Sequence, residues 1–373
     1  MRVMCAILFL SFTFIYLFYY QDDVLAVGQH VLSNGQTHYN RTIGAILITF
    51  VLFLLHLAVF GITKLKRRSH ALTYFPSLLI LAIVTDVSPT IDQHFSFGSW
   101  LWVFPLLLIV YGIVVWLLRQ LQPYEPDTKT SGFVSKMMWL NVFTMVIMFF
   151  IVGLTSCGDE MFHYRVHAED CLLNKDYDGA LETGEKSLKT DSSLTMIRVY
   201  ALSQKGELGE SLFEYPIVGG SRILLPDSAN VRFMLYPEHE LYKYLGIRLK
   251  QKLSPLKYLT FIEKHHLAKS PAKDYLLCGY LLDKNIDAFV RNVGKYYKLN
   301  GHLPKHYREA LTLYTHLRSN PIFVYKNNVM DADFQDYQDM ERKNPDKVLR
   351  QNNLHDTYGN TYWYYYQYAP LTK

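Results

Sequence analysis

The sequence predicts an all-α chain in two parts: a bundle of about five transmembrane helices over residues 1–157, then an irregular α-solenoid over residues 158–373. Three observations predict it. Apolar runs near the ~20 residues that cross ~30 Å of hydrocarbon crowd the first part and are missing from the second. Charge divides at the same place, with nine Lys/Arg and six Asp/Glu in residues 1–157 against 29 and 27 beyond. The second part repeats short amphipathic stretches broken by proline, glycine and polar turns.

The apolar runs are Val3–Tyr20, Ile43–Thr63, Leu72–Val87, Trp100–Leu118 and Met138–Ser156. The third is short and contains Pro76. Each must be helical in lipid, because its backbone groups find no water there. With the N-terminus inside, the cytoplasmic segments hold eight basic residues: Arg2, Lys64, Lys66, Arg67, Arg68, Arg119, Lys129 and Lys136. The outer loops, 21–42 and 88–99, hold only Arg41. That asymmetry is a positive-inside signal and puts residues 158–373 outside the cytoplasm. Tyr19, Tyr20, Trp100, Trp102 and Trp139 lie near segment ends, as interfacial aromatics do. No A-x-A-like site follows the first run, so it is expected to remain as a helix rather than to be cleaved as a signal peptide.

Residues 158–373 should form helices over Tyr164–Asn174, Leu194–Gln204, His239–Gln251, Pro255–His266, Lys273–Leu282, Ile286–Tyr297, His306–Leu317 and Ala332–Arg342. Pro255, Pro271, Pro304 and Pro321 sit at or near their starts and breaks. Stacked pairs of this kind, five or six of them, bury a continuous apolar stripe and leave a groove for a partner. The near balance of charge disfavours a nucleic-acid-binding surface, which needs a basic excess. The four cysteines, Cys5, Cys157, Cys171 and Cys278, form no CxxC pair. Cys171 and Cys278 are expected as buried thiols, with a disulfide between them the alternative.

Asp176-Tyr177-Asp178-Gly179-Ala180-Leu181, then Leu188 and Asp191-Ser192, resembles the second half of a tetratricopeptide repeat, with Ala168 as the small residue of the first helix. Gly184 and the missing proline at Ser192 depart from that pattern. A wider set of residues follows in order: Ala201-Leu202, Gly206, Leu208, Phe213, Leu224-Leu225-Pro226, Tyr244-Leu245-Gly246, Tyr275-Leu276-Leu277, Leu281-Leu282-Asp283-Lys284-Asn285 and His306-Tyr307-Arg308-Glu309-Ala310-Leu311. Together they resemble an uncharacterised family of bacterial multi-pass membrane proteins with a C-terminal helical-repeat domain. The resemblance covers most of residues 160–368 and implies the cytoplasmic membrane of a bacterium with a periplasm. It brings no reaction with it.

Several residues could carry chemistry. Asp22-Asp23 follows the first run and resembles the first outer loop of polytopic glycosyltransferases that use lipid-linked sugars, where a carboxylate serves as base or metal ligand. The bland alternative is a solvated helix end. His163 and His167 have the spacing of two imidazoles on one metal, without an HExxH pattern. His302 and His306 share it, but Pro304 between them argues for a turn. Leu154-Thr155-Ser156-Cys157 matches a lipobox, although a plain thiol at a helix end is favoured for Cys157. His56 and Asp86 are ionisable groups at membrane depth; His56 should bond a neighbouring helix and Asp86 should reach water. Tyr164, Tyr177, Trp363 and Tyr365 are candidates for partner binding, although for the aromatic C-terminus closure of the solenoid end is the favoured reading. No P-loop, GxGxxG, GxSxG or catalytic Cys-His signature is present, so no cofactor is expected. The leading expectation is a membrane-anchored scaffold that contacts the lipid bilayer and binds a periplasmic envelope protein. The runner-up is a membrane enzyme or accessory factor for lipid-linked envelope sugars, acting through Asp22-Asp23.

Overall fold

A computed structural model describes residues 2–370 apart from 94, 95, 97, 125–134, 188, 228–229 and 300. Lys129 and Leu188, used above for topology and for the repeat pattern, lie outside the described residues. Regular structure among the described residues is entirely helical. The chain forms two compact units, Met1–His163 and Tyr164–Lys373. The division falls six residues later than composition suggests, because the side chain of His163 is bound within the first unit.

The first unit comprises α1 (Arg2–Ile15, continued by a π turn to Tyr20), α2 (Asp22–Leu32), α3 (Arg41–Thr63), α4 (Phe75–Thr85), α5 (Trp100–Leu121) and α6 (Lys136–Thr155). Among the described residues, four helices are long and apolar enough to cross a membrane: Arg2–Tyr20, Arg41–Thr63, Trp100–Leu121 and Lys136–Thr155. Their outward faces carry exposed Ile, Leu, Val and Phe, and α5 buries no residue at all. An apolar surface of that extent is what lipid covers. The inward faces supply a core that includes Cys5, Phe9, Leu17, Leu52, Leu81, Met145 and Val152.

The third apolar run behaves differently from the others. Only Phe75–Thr85, eleven residues, is α-helical, with Pro76 in its first turn where a missing N–H costs nothing. Eight residues before it, Arg67–Tyr74, form a 3-10 helix. The two pieces lie antiparallel to α3 in steady register. His70 meets Phe60 edge-on at 5.3 Å, Tyr74 stacks on His56 at 3.6 Å, and the Ser77 hydroxyl donates to the Leu52 carbonyl at 2.8 Å. At one end Arg2 lies 4.8 Å over Phe60, and at the other the Cys157 N–H donates to the Thr85 carbonyl at 3.0 Å. The segment therefore runs the length of the unit. Eight residues at ~2.0 Å and eleven at ~1.5 Å give roughly 32 Å.

Polar residues in this segment are sheltered. Ser69, His70, Thr73, Ser77 and Thr85 are all buried. Asn141 on α6 accepts the Ala71 N–H at 2.7 Å, and the Thr73 hydroxyl lies 3.2 Å from His56 Nδ1. His56 thus bonds a neighbouring segment, as its membrane depth requires. Asp86 is exposed and accepts from Trp100 Nε1 at 2.6 Å.

The second unit contains α7 (Glu160–Leu173, which begins in the first unit), α8 (Tyr177–Glu182), α9 (Ser192–Lys205), α10 (Leu208–Ser211), α11 (Glu238–Leu245), α12 (Pro255–Lys264), α13 (Ala272–Leu282), α14 (Ile286–Tyr296), α15 (Lys305–Leu317), α16 (Asn328–Lys343), α17 (Lys347–Tyr358) and α18 (Tyr362–Tyr368). Side-chain caps start many of them: Asp176, Asp191, Asn285, Asn327, Asp346 and Thr361 each accept a first-turn N–H. Each such cap contributes about 1 kcal/mol. Successive helices from α12 to α18 pack on one another. However, α10 also packs on α13 and α15, and α18 returns to α15, closures that a strictly linear stack lacks. All four cysteines are buried thiols, and no Cys171–Cys278 disulfide forms.

The helix expected over His239–Gln251 stops at Leu245. A Cβ at Gly246 would lie 2.4 Å from the Leu267 carbonyl oxygen, and the Lys269 N–H donates to Leu245 at 2.9 Å. The chain after α12 occupies the place where another helical turn would go. Gly206, the C-cap of α9 at φ +75°, has open space around it. Gly206→Ala should therefore cost about 1 kcal/mol. Gly246→Ala, forced against backbone, should cost more than about 2 kcal/mol. Thermal unfolding of the two variants checks the order, and equal melting points would contradict it.

Candidate functional site

Asp22, Asp23, His163 and Cys157, separate in the sequence, meet at one end of the first unit. Asp22 and Asp23 do not lie in a loop. They form the first turn of α2, where the helix dipole favours negative charge. Arg41 Nε sits 3.1 Å from Asp22 and also donates to the Phe18 carbonyl, while its guanidinium lies 4.3 Å over the Phe18 ring. Asp23 Oδ2 faces His163 Nδ1 at 3.9 Å, and His163 Nε2 lies 3.3 Å from the Cys157 carbonyl. Buried Gln21 donates to that same carbonyl at 3.3 Å and to the Tyr16 hydroxyl at 3.3 Å. The cluster ties together the ends of α1 and α6 and the starts of α2, α3 and α7.

Charges shift accordingly. Burial, then the neighbouring Asp23, pushes the Asp22 carboxyl above its usual range, and Arg41 opposes them. The Asp23 carboxylate raises His163 above the ordinary imidazole value, outweighing burial.

The other candidate residues have these surroundings. Both His163 nitrogens face protein partners, and His167 is exposed on the next turn. No group of three or more His, Cys, Asp and Glu side chains placed to hold a metal ion exists among the described residues. Cys157 is only 6% exposed, burial raises its thiol pKa, and its N–H donates to the Thr85 carbonyl. Trp363 is 2% exposed and donates from Nε1 to the Glu309 carbonyl at 2.8 Å, so it cannot meet a partner. Tyr365 packs on Phe213 at 4.7 Å and donates to the Leu282 carbonyl at 2.8 Å. The C-terminal aromatics close the fold. Tyr164 and Tyr177 remain half-buried, the Tyr164 ring filling the space over Gly184.

Two buried carboxylates have roles that the sequence reading did not assign. Glu169 is fully buried and accepts the N–H groups of Met234, Leu235 and Tyr236 at 2.7, 2.6 and 3.0 Å; burial still pushes its carboxyl up to about 7. His306 accepts the Phe213 N–H on Nε2 at 3.2 Å, which leaves Nδ1 to donate to Glu309 at 2.9 Å. Glu309 also accepts the Tyr362 N–H at 2.7 Å. Both carboxylates pin irregular chain to a helix, and neither opens to solvent.

Open space lies elsewhere. In the first unit a pocket of about 700 Å³ is lined mostly by apolar residues of α2, α3 and α4, with Tyr39, Asp86 and Trp100 at its polar positions. In the second unit one groove of about 620 Å³ lies among Arg222, Tyr242, the 248–254 loop and Tyr258. Another of about 600 Å³ lies between residues 213–218 and the 355–370 segment.

Fold and site together define an all-helical membrane protein with a separate helical unit that bears open grooves. A family of unknown function, DUF6057, is matched over residues 248–369, from the loop before α12 to the end of α18. No curated protein and no solved structure matches the chain.

Two outcomes follow from the site. A histidine whose folded pKa is raised stabilises the fold fully below the unfolded value of about 6.5 and loses that contribution as pH rises through the folded value. In Asp23→Asn the His163 titration, followed by NMR, should move to lower pH and this acid-side stabilisation should vanish; an unchanged titration would contradict the contact. Trp363→Ala should cost about 3–5 kcal/mol, as truncation of a large buried aromatic does. Thermal unfolding measures this, and a loss under about 1 kcal/mol would show that the side chain is not core.

Proposed function

We propose that this chain is a membrane-anchored interaction protein of the bacterial cell envelope. Five segments cross the membrane, the N-terminus is cytoplasmic, and the chain after α6 is periplasmic. The Arg67–Thr85 segment supplies the fifth crossing, since its roughly 32 Å matches ~30 Å of hydrocarbon. An odd number of crossings also agrees with the eight basic residues on one side and Arg41 on the other. The second unit, an irregular helical-repeat solenoid, binds a protein partner through its grooves.

One observation carries this reading. The acidic cluster of the first unit spends its polar atoms on holding chain ends together, as Arg41–Asp22, Asp23–His163 and Gln21–Cys157 show. It acts as a clamp, so the first unit is an anchor and binding falls to the open grooves of the second. A second reading, an accessory role with lipid-linked sugars, is favoured by the apolar pocket beside Tyr39, Asp86 and Trp100, which suits a lipid tail.

In-cell photo-crosslinking from second-unit groove positions, combined with Asp22→Asn/Asp23→Asn, separates the readings. The interaction role predicts a specific crosslinked envelope protein whose capture survives the double substitution. Capture that fails from every groove position, with an envelope defect in a double variant whose second unit remains folded, would favour the lipid-linked role.

A further inference from the structure

We infer that the groove between the 3-10 turn at Ser221–Leu224 and the 248–254 loop is a docking site for an extended acidic peptide segment bearing aliphatic side chains. This rests on the interaction role proposed above and names the chemistry of the partner. Four cations line the groove, Arg222, Arg248, Lys250 and Lys252, against two carboxylates, Asp227 and Glu238. Both carboxylates are already engaged. Asp227 accepts the N–H groups of Asn230 and Val231, each at 2.9 Å, and Glu238 pairs with Arg248 at 3.4 Å. Arg222 and Lys250 are exposed and have no acidic partner among the described residues. The local excess is not a background property, because residues 158–373 carry 29 basic and 27 acidic side chains.

The floor has the opposite character. Leu225 and Tyr258 lie almost fully buried beneath it, the Tyr258 hydroxyl donating to the Ile247 carbonyl at 2.8 Å. Its apolar surface comes from half-buried Leu249, Leu253 and Tyr242, whose ring meets Tyr258 edge-on at 5.5 Å. A free phosphate could use the rim but not the floor. A neutral sugar could stack on the floor but gains little from the cations. A peptide that alternates acidic and aliphatic side chains uses both, since successive residues of an extended chain point to opposite sides. Charge complementarity of this kind sets association rate and selectivity.

The test uses the full chain in detergent micelles and a fluorescein-labelled peptide of about ten alternating Glu and Leu residues, read by anisotropy. Arg222→Glu/Lys250→Glu, both at exposed positions, should weaken binding about tenfold or more, and raising salt from about 50 to about 300 mM should weaken it further. A Lys/Leu peptide of the same length should not bind, and inorganic pyrophosphate should not displace the Glu/Leu peptide. Leu253→Asp should weaken the peptide without lowering the melting temperature. Peptide affinity that ignores the double charge reversal in a variant with unchanged melting temperature overturns the inference. So does displacement by pyrophosphate, which would make this a phosphate site. Crosslinks to a partner that map only to the cleft between residues 213–218 and 355–370 would overturn it too, while leaving the interaction role standing.

Discussion

Residues Arg67–Thr85 face a demand that shapes the rest of the first unit: too few residues and too many polar groups for an ordinary apolar helix. The answer is a 3-10 helix joined to an α-helix at Pro76. The 3-10 half is longer per residue and leaves backbone poorly bonded, so it needs shelter. The long helices provide it. α3 lends His56 to stack on Tyr74 and the Leu52 carbonyl to Ser77, while α6 lends Asn141 to the Ala71 backbone. α1 closes the remaining side with Phe9, 4.9 Å from Tyr74. α1, α3 and α6 therefore each present one specific inward face and a plain apolar outward one.

At the far end of the same segment, Thr85 receives the Cys157 N–H, and the acidic cluster assembles beside it. Asp22 and Asp23 gain from the start of α2, and Arg41 and His163 neutralise them. Carboxylates beside a membrane suggest chemistry when viewed alone. Among their neighbours they hold five chain ends in register. The second unit uses the same device in a drier setting, where Glu169 binds backbone N–H groups of an irregular segment and Glu309 binds the first N–H of α18, which its own helix cannot satisfy.

Much of the helical pattern was legible in the sequence because it depends on local rules. Helix starts at Ser192, Pro255, Ile286 and Lys305 follow from caps and prolines, and the apolar runs announce the long helices by length alone. What escaped depends on distant partners. Nothing local reveals that α2 forms in the first outer loop, since Val24, Leu25 and Val27 become an apolar face only when the bundle is there to cover them. The early end of α11 is set by Leu267, 21 positions further on. The aromatic run near the C-terminus is legible as helix or platform, and its distant partners Glu309, Phe334 and Tyr337 turn Trp363 inward. At the site, the residues were visible but their meeting was not: His163 stands 140 positions from Asp23. The cationic groove was invisible for the same reason, its carboxylates and cations coming from separate turns.

The proposed topology rests on Arg67–Thr85 crossing the membrane, which would give the chain an odd number of crossings and set the second unit opposite the N-terminus. All four native cysteines are buried, so an introduced one reports cleanly to a membrane-impermeant thiol reagent. Lys66 and Ser88 flank the segment and are exposed. In intact spheroplasts Ser88→Cys should label at once, and Lys66→Cys only after the membrane is permeabilised. Labelling of both from the same side would mean that the segment turns back, and would place the second unit on the same side as the N-terminus.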